Sequence, residues 1–299
     1  MINENKKENA VKKSGSFASR ARAKKRNSVI INVFLALCVI LFLLPLIVLL
    51  LTSFKTFEQI IHDPTSFLPN KWVYTNYVSA VTDFKFFLYL WNSIKIVVVI
   101  MIGTLLSASL TAYAFSAYEV KESGIILAIY MACMMLPGQV VMIPMYEVFR
   151  ELDWLNTYLP FWIPPFLGGG FANVFLIRQF FMSIPKALRD AAEIDGAGEI
   201  RIFAQIVMPL CIPVLCTVGI FTFIGAWNDF FTPLLYLNKD EMRPLAYAFF
   251  NYFETTKVGD TKQWNLIAAA GVLTMLPTVI IFSITQKFFV EGISLSGIK

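Results

Sequence analysis

The sequence has little of the chemistry from which most catalytic and metal sites are built. It contains one histidine, His62, and four cysteines, none of which form a CxxC pair. It has no GxxxxGKS or GxxxxGKT phosphate-binding loop, and no lysine follows the three glycines at 168–170. We therefore expect no metal site, no bound nucleotide or other cofactor, and no enzymatic activity in this chain.

Charged residues are also scarce, and apolar residues dominate instead. Asp, Glu, Lys and Arg make up 15% of the 299 residues, hydrophobic residues make up 57%, and the mean hydropathy is +0.65. This composition is typical of an integral membrane protein. The net charge of +5 does not indicate a nucleic-acid partner, because the basic excess is concentrated in the first 26 residues.

Six apolar stretches are long enough to cross a lipid bilayer as helices. The predicted spans are residues 29–51, 96–115, 124–146, 154–177, 210–231 and 264–286. The first is too long for a signal-peptide core and lacks a small-residue cleavage site, so we interpret it as an uncleaved anchor. The sequence predicts an all-α protein with a basic, disordered tail at 1–28 and one transmembrane domain at 29–299.

Charge predicts the topology. By the positive-inside rule the basic tail stays in the cytoplasm, and six spans then return the C-terminus and the loop at 178–209 to the same side. The external segment 238–263 argues against this because it carries four basic residues, but the first span usually dominates. The aromatic-rich segment 52–91 is too polar to span and is expected to lie along the outer interface.

The cytoplasmic loop has the pattern of a docking surface. Residues 185–195 predict a short helix, capped by Ser183 and ended by Gly196 in a left-handed conformation. A second amphipathic stretch, 199–206, leads to Pro209, which is expected to start or kink the next span. One face of the short helix has small residues that admit a close partner. That face holds Ala187, Ala191 and Ile194, and its polar rim holds Lys186, Arg189, Asp190 and Glu193.

Two further regions suit a transport path. The third and fourth spans contain prolines and glycines, and transporters often build sites from broken helices; membrane helices are, however, richer in both residues than soluble ones. The fifth span carries an aromatic face beside an amide and a carboxylate, which suits a sugar, although the run could equally anchor a helix end at the interface. The candidate residues are Pro137, Gln139 and Tyr146 in the third span, and Trp227, Asn228 and Asp229 in the fifth.

The loop resembles a known family. Asp190, Ala191 and Ala192 are followed after three residues by Gly196, and Ile206, Met208 and Pro209 complete the pattern. It is similar to the EAA loop of membrane subunits of ATP-binding-cassette importers, with Asp190 where Glu is commoner and Met208 where Leu is commoner. The resemblance implies that the helix docks on an ATPase subunit. The implied coupling residues are Asp190, Ala191, Ala192, Asp195, Gly196, Gly198, Ile206 and Pro209.

Other segments resemble the carbohydrate branch of these importers. The run 227–231, the segment 175–185 and the tail 288–299 look like the MalG-type permease subunit of maltose and multiple-sugar importers. The resemblance implies a sugar substrate, a second homologous permease subunit, ATPase subunits that bind ATP and Mg, an extracellular solute-binding protein, and a bacterial plasma membrane. It further implies that residues 292–299 reach the ATPase and that residues 238–263 touch the binding protein; both segments could equally be solvated connectors.

Three other functions remain open on the sequence. An ion-coupled secondary transporter would be expected to bury several titratable groups, and only Asp229 approaches that role. A membrane scaffold needs no transport path. An importer subunit for a non-sugar solute would share the loop but not the carbohydrate-branch segments.

Overall fold

A computed structural model of the protein describes residue 28 and residues 30–117 and 123–296. The tail at 1–27 lies outside the described residues, so the predicted division of the chain at residue 28 stays a prediction. The predicted ATPase contact of residues 292–299 likewise depends on side chains outside this description.

Helices make up most of the first half of the described chain. The helices are α1 Ile30–Thr52, α2 Phe57–His62, α3 Thr75–Thr82, α4 Phe86–Ala117, α5 Ser123–Met134, α6 Gly138–Glu151, α7 Leu159–Trp162 and α8 Phe171–Phe181, with a 3-10 turn at Pro164–Phe166. The predicted all-α membrane fold is confirmed here by α1, α4 and the region Leu159–Phe181, each long and apolar enough to span a bilayer.

The second half is also helical, apart from one small hairpin. Its helices are α9 Lys186–Ile194, α10 Glu199–Ile202, α11 Met208–Leu210, α12 Ile212–Asn228, α13 Phe231–Tyr236, α14 Leu245–Thr255 and α15 Trp264–Ser296. Strands β1 Lys257–Val258 and β2 Thr261–Lys262 pair antiparallel, and Asp240–Met242 forms a 3-10 turn. In α15 the apolar stretch Trp264–Gln286 coincides with the predicted sixth span.

Two pairs of helices are sharply bent: one forms the predicted third span, and the other joins the loop stretch 199–206 to the predicted fifth span. Gly124–Met134 and Gly138–Glu151 meet at 97°, and Glu199–Leu210 and Ile212–Asn228 meet at 78°. The described chain therefore has four candidate spans outside these bent pairs, and six when each bent pair counts as one. Pro209 and Pro213 lack the N–H groups that would continue the second pair, and a π-helical stretch, Phe203–Val207, precedes its bend. The predicted kink after Pro209 is confirmed.

Helix α4 is the centre of the subunit, because α8 and α12 both pack against it. It begins at Phe86, earlier than the predicted Ile96. The reason is that Asn92 and Ser93, which lower the local hydropathy, are buried and hydrogen-bonded to residues 241–245.

The fourth span is broken at the three glycines, as their sequence predicts. Gly168, Gly169 and Gly170 have φ values of 105°, 69° and 87°, which only glycine adopts without strain. The turn presses against α4, since a Cβ on Gly169 would lie 2.6 Å from the Cα of Ala108. This close approach fixes α8 against the middle of the subunit.

Candidate functional site

The predicted loop helix is present as α9, with one end as expected and one different. Gly196 has φ +79°, and its N–H donates to the carbonyl of Glu193 at 3.0 Å while Ala197 donates to that of Ala192 at 2.9 Å. This left-handed end confirms the prediction. The predicted cap by Ser183 is wrong, because its hydroxyl donates to the carbonyl of Phe180 at 2.6 Å and Pro185 stands at the N-cap without a side-chain bond.

The apolar face of α9 points away from the subunit. Ala192 is the buried residue of the helix, whereas Ala187 and Ala191 are exposed and Ile194 is 86% exposed. The predicted face is therefore confirmed as an open surface. Leu188 on α9 and Ile200 on α10 are also exposed, at 45% and 85%. The sequence interpretation did not name these two apolar residues.

Arg189 departs from the predicted polar rim. Asp190 and Asp195 are exposed as expected, but Arg189 turns inward and bonds Glu193 and Glu199 at 2.9 and 2.7 Å. Burial lowers the pKa of the guanidinium, but these two carboxylates outweigh it and raise the pKa above its ordinary value. Arg189 is therefore a fixed positive charge inside the loop.

The remaining loop residues lie beyond α9. Gly198 stands at the N-cap of α10, Ile206 is in the π-helical stretch and half-buried, and Pro209 is in α11. The structure thus groups positions 190–196 on one helix and its end, and it separates Ile206 and Pro209 from that surface. Both lie in the bent part of the chain between α10 and α12.

The two broken spans meet at a cavity. Pro137 is the N-cap of α6, at the bend, and Gln139 is exposed just after it. The cavity has a volume of about 490 Å³. Its lining comes from both breaks: Cys133, Met134, Leu136, Gly138 and Val141 on one side, and Gly170, Phe171, Ala172 and Asn173 on the other. Tyr146 lies apart from it, half-buried and stacked on Tyr236 at 6.2 Å between ring centroids.

The run at 227–229 does not present the predicted sugar-binding face. Trp227 is 4% exposed and stacks on Phe223 at 5.4 Å between ring centroids, so its face is covered within the subunit. The prediction of an open Trp227 is wrong for this structure. Asp229 accepts hydrogen bonds from the N–H groups of Phe231 and Thr232 at 3.1 and 3.0 Å, and Asn228 is exposed.

The segment 238–263, which the sequence predicts to be external, is held by hydrogen bonds at its start. Asp240 accepts hydrogen bonds from Lys85, Tyr89 and Arg243 at 2.8–3.2 Å. Burial raises the pKa of Asp240, but these donors outweigh it and lower the pKa below its ordinary value. The start of the segment is therefore not a solvated connector, while the hairpin β1–β2 remains mostly exposed.

A metal centre has no support in the part of the chain that the structure describes. No three His, Cys, Asp or Glu side chains in those residues are grouped so as to hold a metal ion.

The comparison with known families decides the class of the protein. Residues 115–295, more than half of the chain, match the family described as binding-protein-dependent transport system inner membrane component. The chain belongs to this family. The family prediction made from residues 190–209 is confirmed, and the protein is a non-catalytic permease subunit of an ATP-binding-cassette importer in the membrane.

Individual relatives cover nearly the whole permease. The chain is 29% identical over 273 residues to the probable ABC transporter permease protein YurM of Bacillus subtilis, covering 89% of this chain and 87% of the relative. It is 29% identical to the arabinooligosaccharides transport system permease protein AraQ of Halalkalibacterium halodurans, over 85% of this chain and 90% of AraQ. It is 30% identical to the sn-glycerol-3-phosphate transport system permease protein UgpE of Yersinia pestis, over 88% of this chain and 94% of UgpE.

A solved structure shares the fold. A bacterial ABC transporter involved in the import of the acidic polysaccharide alginate has a chain that superposes with a TM-score of 0.79 at 23% identity. The match covers 90% of this permease and 98% of that chain. Importers of this family work with ATPase subunits and binding proteins in general, which agrees with the predicted kinds of partner.

Proposed function

We propose that this permease imports a sugar or oligosaccharide delivered by an extracellular binding protein, driven by ATP hydrolysis on separate ATPase subunits. The substrate class is supported by relatives that are named for arabinooligosaccharide and diacetylchitobiose transport. ATP and Mg bind to the ATPase subunits, because this chain has no phosphate-binding loop of its own.

The observation that carries the proposal is the open apolar face of α9. Leu188 and Ile194 are 45% and 86% exposed and lie outside the apolar spans. Exposed apolar residues grouped in this way mark a surface that binds a partner protein. The polar residues at its edge, Asp190 and Asp195, are also exposed and available to that partner. The docked ATPase moves α9, and its differential affinity for two permease states shifts their populations.

The transport path lies at the broken spans. Non-helical backbone inside a membrane is stable only where it is packed in protein or lines a water-filled cavity, and the residues that flank Pro137, together with Gly170, line one cavity of about 490 Å³. The amide side chains of Gln139 and Asn228 are exposed, and in this proposal they form hydrogen bonds with sugar hydroxyls. Bending at the two angled helix pairs opens the path alternately outward and inward.

The partners and topology follow the same proposal. The chain pairs with a second, homologous permease subunit in a bacterial plasma membrane, with both termini in the cytoplasm. The binding protein contacts the exposed hairpin β1–β2, which projects from a segment that Asp240 holds in place on the outer side.

An importer for a phosphorylated polyol is the second candidate, because UgpE is named for sn-glycerol-3-phosphate. Ion-coupled transport has less support, since α12 contains no charged residue and α4 contains a single one, Lys95. A scaffold without a transport path leaves the cavity between the broken spans unexplained.

The test compares two glycine substitutions that are matched in strain. Gly196 and Gly259 have φ values of 79° and 58°, and no atom lies within 4 Å of an added Cβ at either. We expect Gly196→Leu to lose ATPase co-purification or coupled uptake, because it distorts the end of α9, whereas Gly259→Leu in the hairpin keeps the ATPase bound.

The assay is purification in mild detergent followed by uptake of radiolabelled oligosaccharides or glycerol-3-phosphate into proteoliposomes with the purified binding protein. Normal uptake by Gly196→Leu refutes the docking role of α9. If glycerol-3-phosphate is taken up and the oligosaccharides are not, the substrate is a phosphorylated polyol and not a sugar.

A further inference from the structure

Arg189 joins three helices at the loop. Its guanidinium donates from Nη2 to Oε1 of Glu199 at 2.7 Å, from Nε to Oε1 of Glu193 at 2.9 Å, and from Nη1 to the carbonyl of Ala117 at 2.6 Å. Glu193 is on the same helix, but Glu199 begins α10 and Ala117 ends α4. One side chain therefore ties α9 both to the next helix and to the end of a membrane span.

Glu199 completes the connection through its second carboxylate oxygen. The hydroxyl of Tyr113, on α4, donates to Oε2 of Glu199 at 2.8 Å. We call the hydrogen bonds that Arg189 and Glu199 make between α9, α10 and α4 the bridge. Beneath the bridge, Tyr113, Ala192 and Ile202 are 8%, 7% and 0% exposed and belong to one apolar cluster. The Arg189 side chain is 26% exposed, whereas those of Glu199 and Glu193 are 40% and 49% exposed, so water and salt screen these charge-assisted bonds in part.

The bridge crosses a corner that is otherwise easily bent. Only residues 195–198 separate α9 from α10, and two of them are Gly196 and Gly198, where an added Cβ would meet no atom within 4 Å. Glycine has a wide choice of backbone conformations, so these residues alone would let α9 swivel without moving α10. The bond between Arg189 and Glu199 removes that freedom.

We propose that Arg189 is a positioning residue that makes α9, α10 and the end of α4 move as one body. This inference rests on the proposed function, in which an ATPase subunit displaces α9. The displacement then reaches α4 through Ala117 and Tyr113, and it reaches α12 through α10 and the π-helical stretch. Both spans respond together because the corner between α9 and α10 cannot absorb the motion.

The experiment measures coupling in the assembled, reconstituted importer. Arg189→Gln, Glu199→Gln and the double variant are compared for ATPase co-purification, ATPase rate with and without loaded binding protein, and substrate imported per ATP hydrolysed. We expect the ATPase to stay bound, because the open face of α9 is unchanged, while substrate imported per ATP falls about threefold or more. The double variant loses no more than the worse single variant, since both remove the same bridge.

Arg201→Gln is the matched control. Arg201 is an exposed arginine in the same loop whose Nε donates to Oε1 of Gln205, four residues along, at 3.0 Å. It is expected to keep wild-type coupling. The proposal is overturned by wild-type coupling in Arg189→Gln, by equal loss in Arg201→Gln, by additive losses in the double variant, or by loss of the ATPase from the Arg189→Gln complex.

A second experiment tests the Arg189 bridge even if the proposed function is wrong. A wild-type permease that retains no ATPase refutes the proposed function, and the bridge is then tested by spin labels at the exposed positions Leu188 and Ile200. The distance distribution between the labels broadens in Arg189→Gln if the bridge stiffens the corner. An unchanged distribution refutes the bridge itself.

Discussion

Replacement of Gly169 by alanine tests how closely the broken fourth span is packed. The new Cβ would lie 2.6 Å from the Cα of Ala108, on α4. Ordinary carbon contacts are about 3.5–4.0 Å, so α4 and the glycine turn must separate by about 1 Å. Because the clash is with backbone, no side-chain rotation relieves it.

The expected cost has two parts. A residue with a Cβ at φ +69° loses roughly 1–2 kcal/mol relative to glycine, and overpacking adds roughly 1–3 kcal/mol. Gly169→Ala should therefore destabilise the subunit by about 2–5 kcal/mol. Gly196→Ala shares the positive φ without the clash, so it should lose only the roughly 1–2 kcal/mol of backbone strain. Gly138→Ala has neither the positive φ nor the clash, so its stability should be unchanged.

The assay is the fraction of protein that stays monodisperse in detergent after heating over a series of temperatures. We expect Gly138→Ala to be the most stable of the three variants, Gly196→Ala to be intermediate and Gly169→Ala to be the least stable. If Gly169→Ala survives as well as Gly196→Ala, the contact between the glycine turn and α4 is absent and the reasoning fails.

Two other predictions concern carboxylates on the second half of the chain. Asp229→Ala should destabilise the subunit by about 1 kcal/mol because it removes the acceptor for the N–H groups of Phe231 and Thr232, whereas Asp229→Asn keeps an acceptor and should retain both stability and uptake; loss of uptake in a stable Asp229→Asn variant would assign the carboxylate to transport. Asp240 has a lowered pKa, so its contribution to stability is fully present above about pH 4 and is lost as the pH falls through its folded-state pKa. The difference in thermal stability between wild type and Asp240→Asn should be constant from pH 5 to 7 and shrink below about pH 4, and a difference that first shrinks near pH 6 would contradict the assignment.

Hydropathy predicted where membrane helices occur because it depends on local composition. The first and sixth spans and the bend near Pro137 lie where the sequence predicts them. The start of α4 does not, because polar Asn92 and Ser93 are stabilised by partners about 150 residues later in the chain. Local sequence carries no signal for such pairing.

Side-chain direction was harder to predict than helix position. The open face of α9 followed from helical spacing, since Ala187, Ala191 and Ile194 must share a side. Arg189 could not be assigned in this way, because its inward direction depends on Glu199 in another helix. The prediction of an open Trp227 ring was wrong for a related reason. Helix rotation decides whether a ring in an apolar span is open or packed, and composition does not determine rotation.

The hydrogen bonds of α4 also bear on how the protein is made. Asn92 and Ser93 are 1% and 2% exposed, and their partners are the backbone of Glu241, Arg243 and Leu245. A growing chain that has not yet reached residue 241 carries these polar groups in a membrane helix without those partners, at a cost in free energy. The second span is therefore fully hydrogen-bonded only after the second half of the chain has been synthesised.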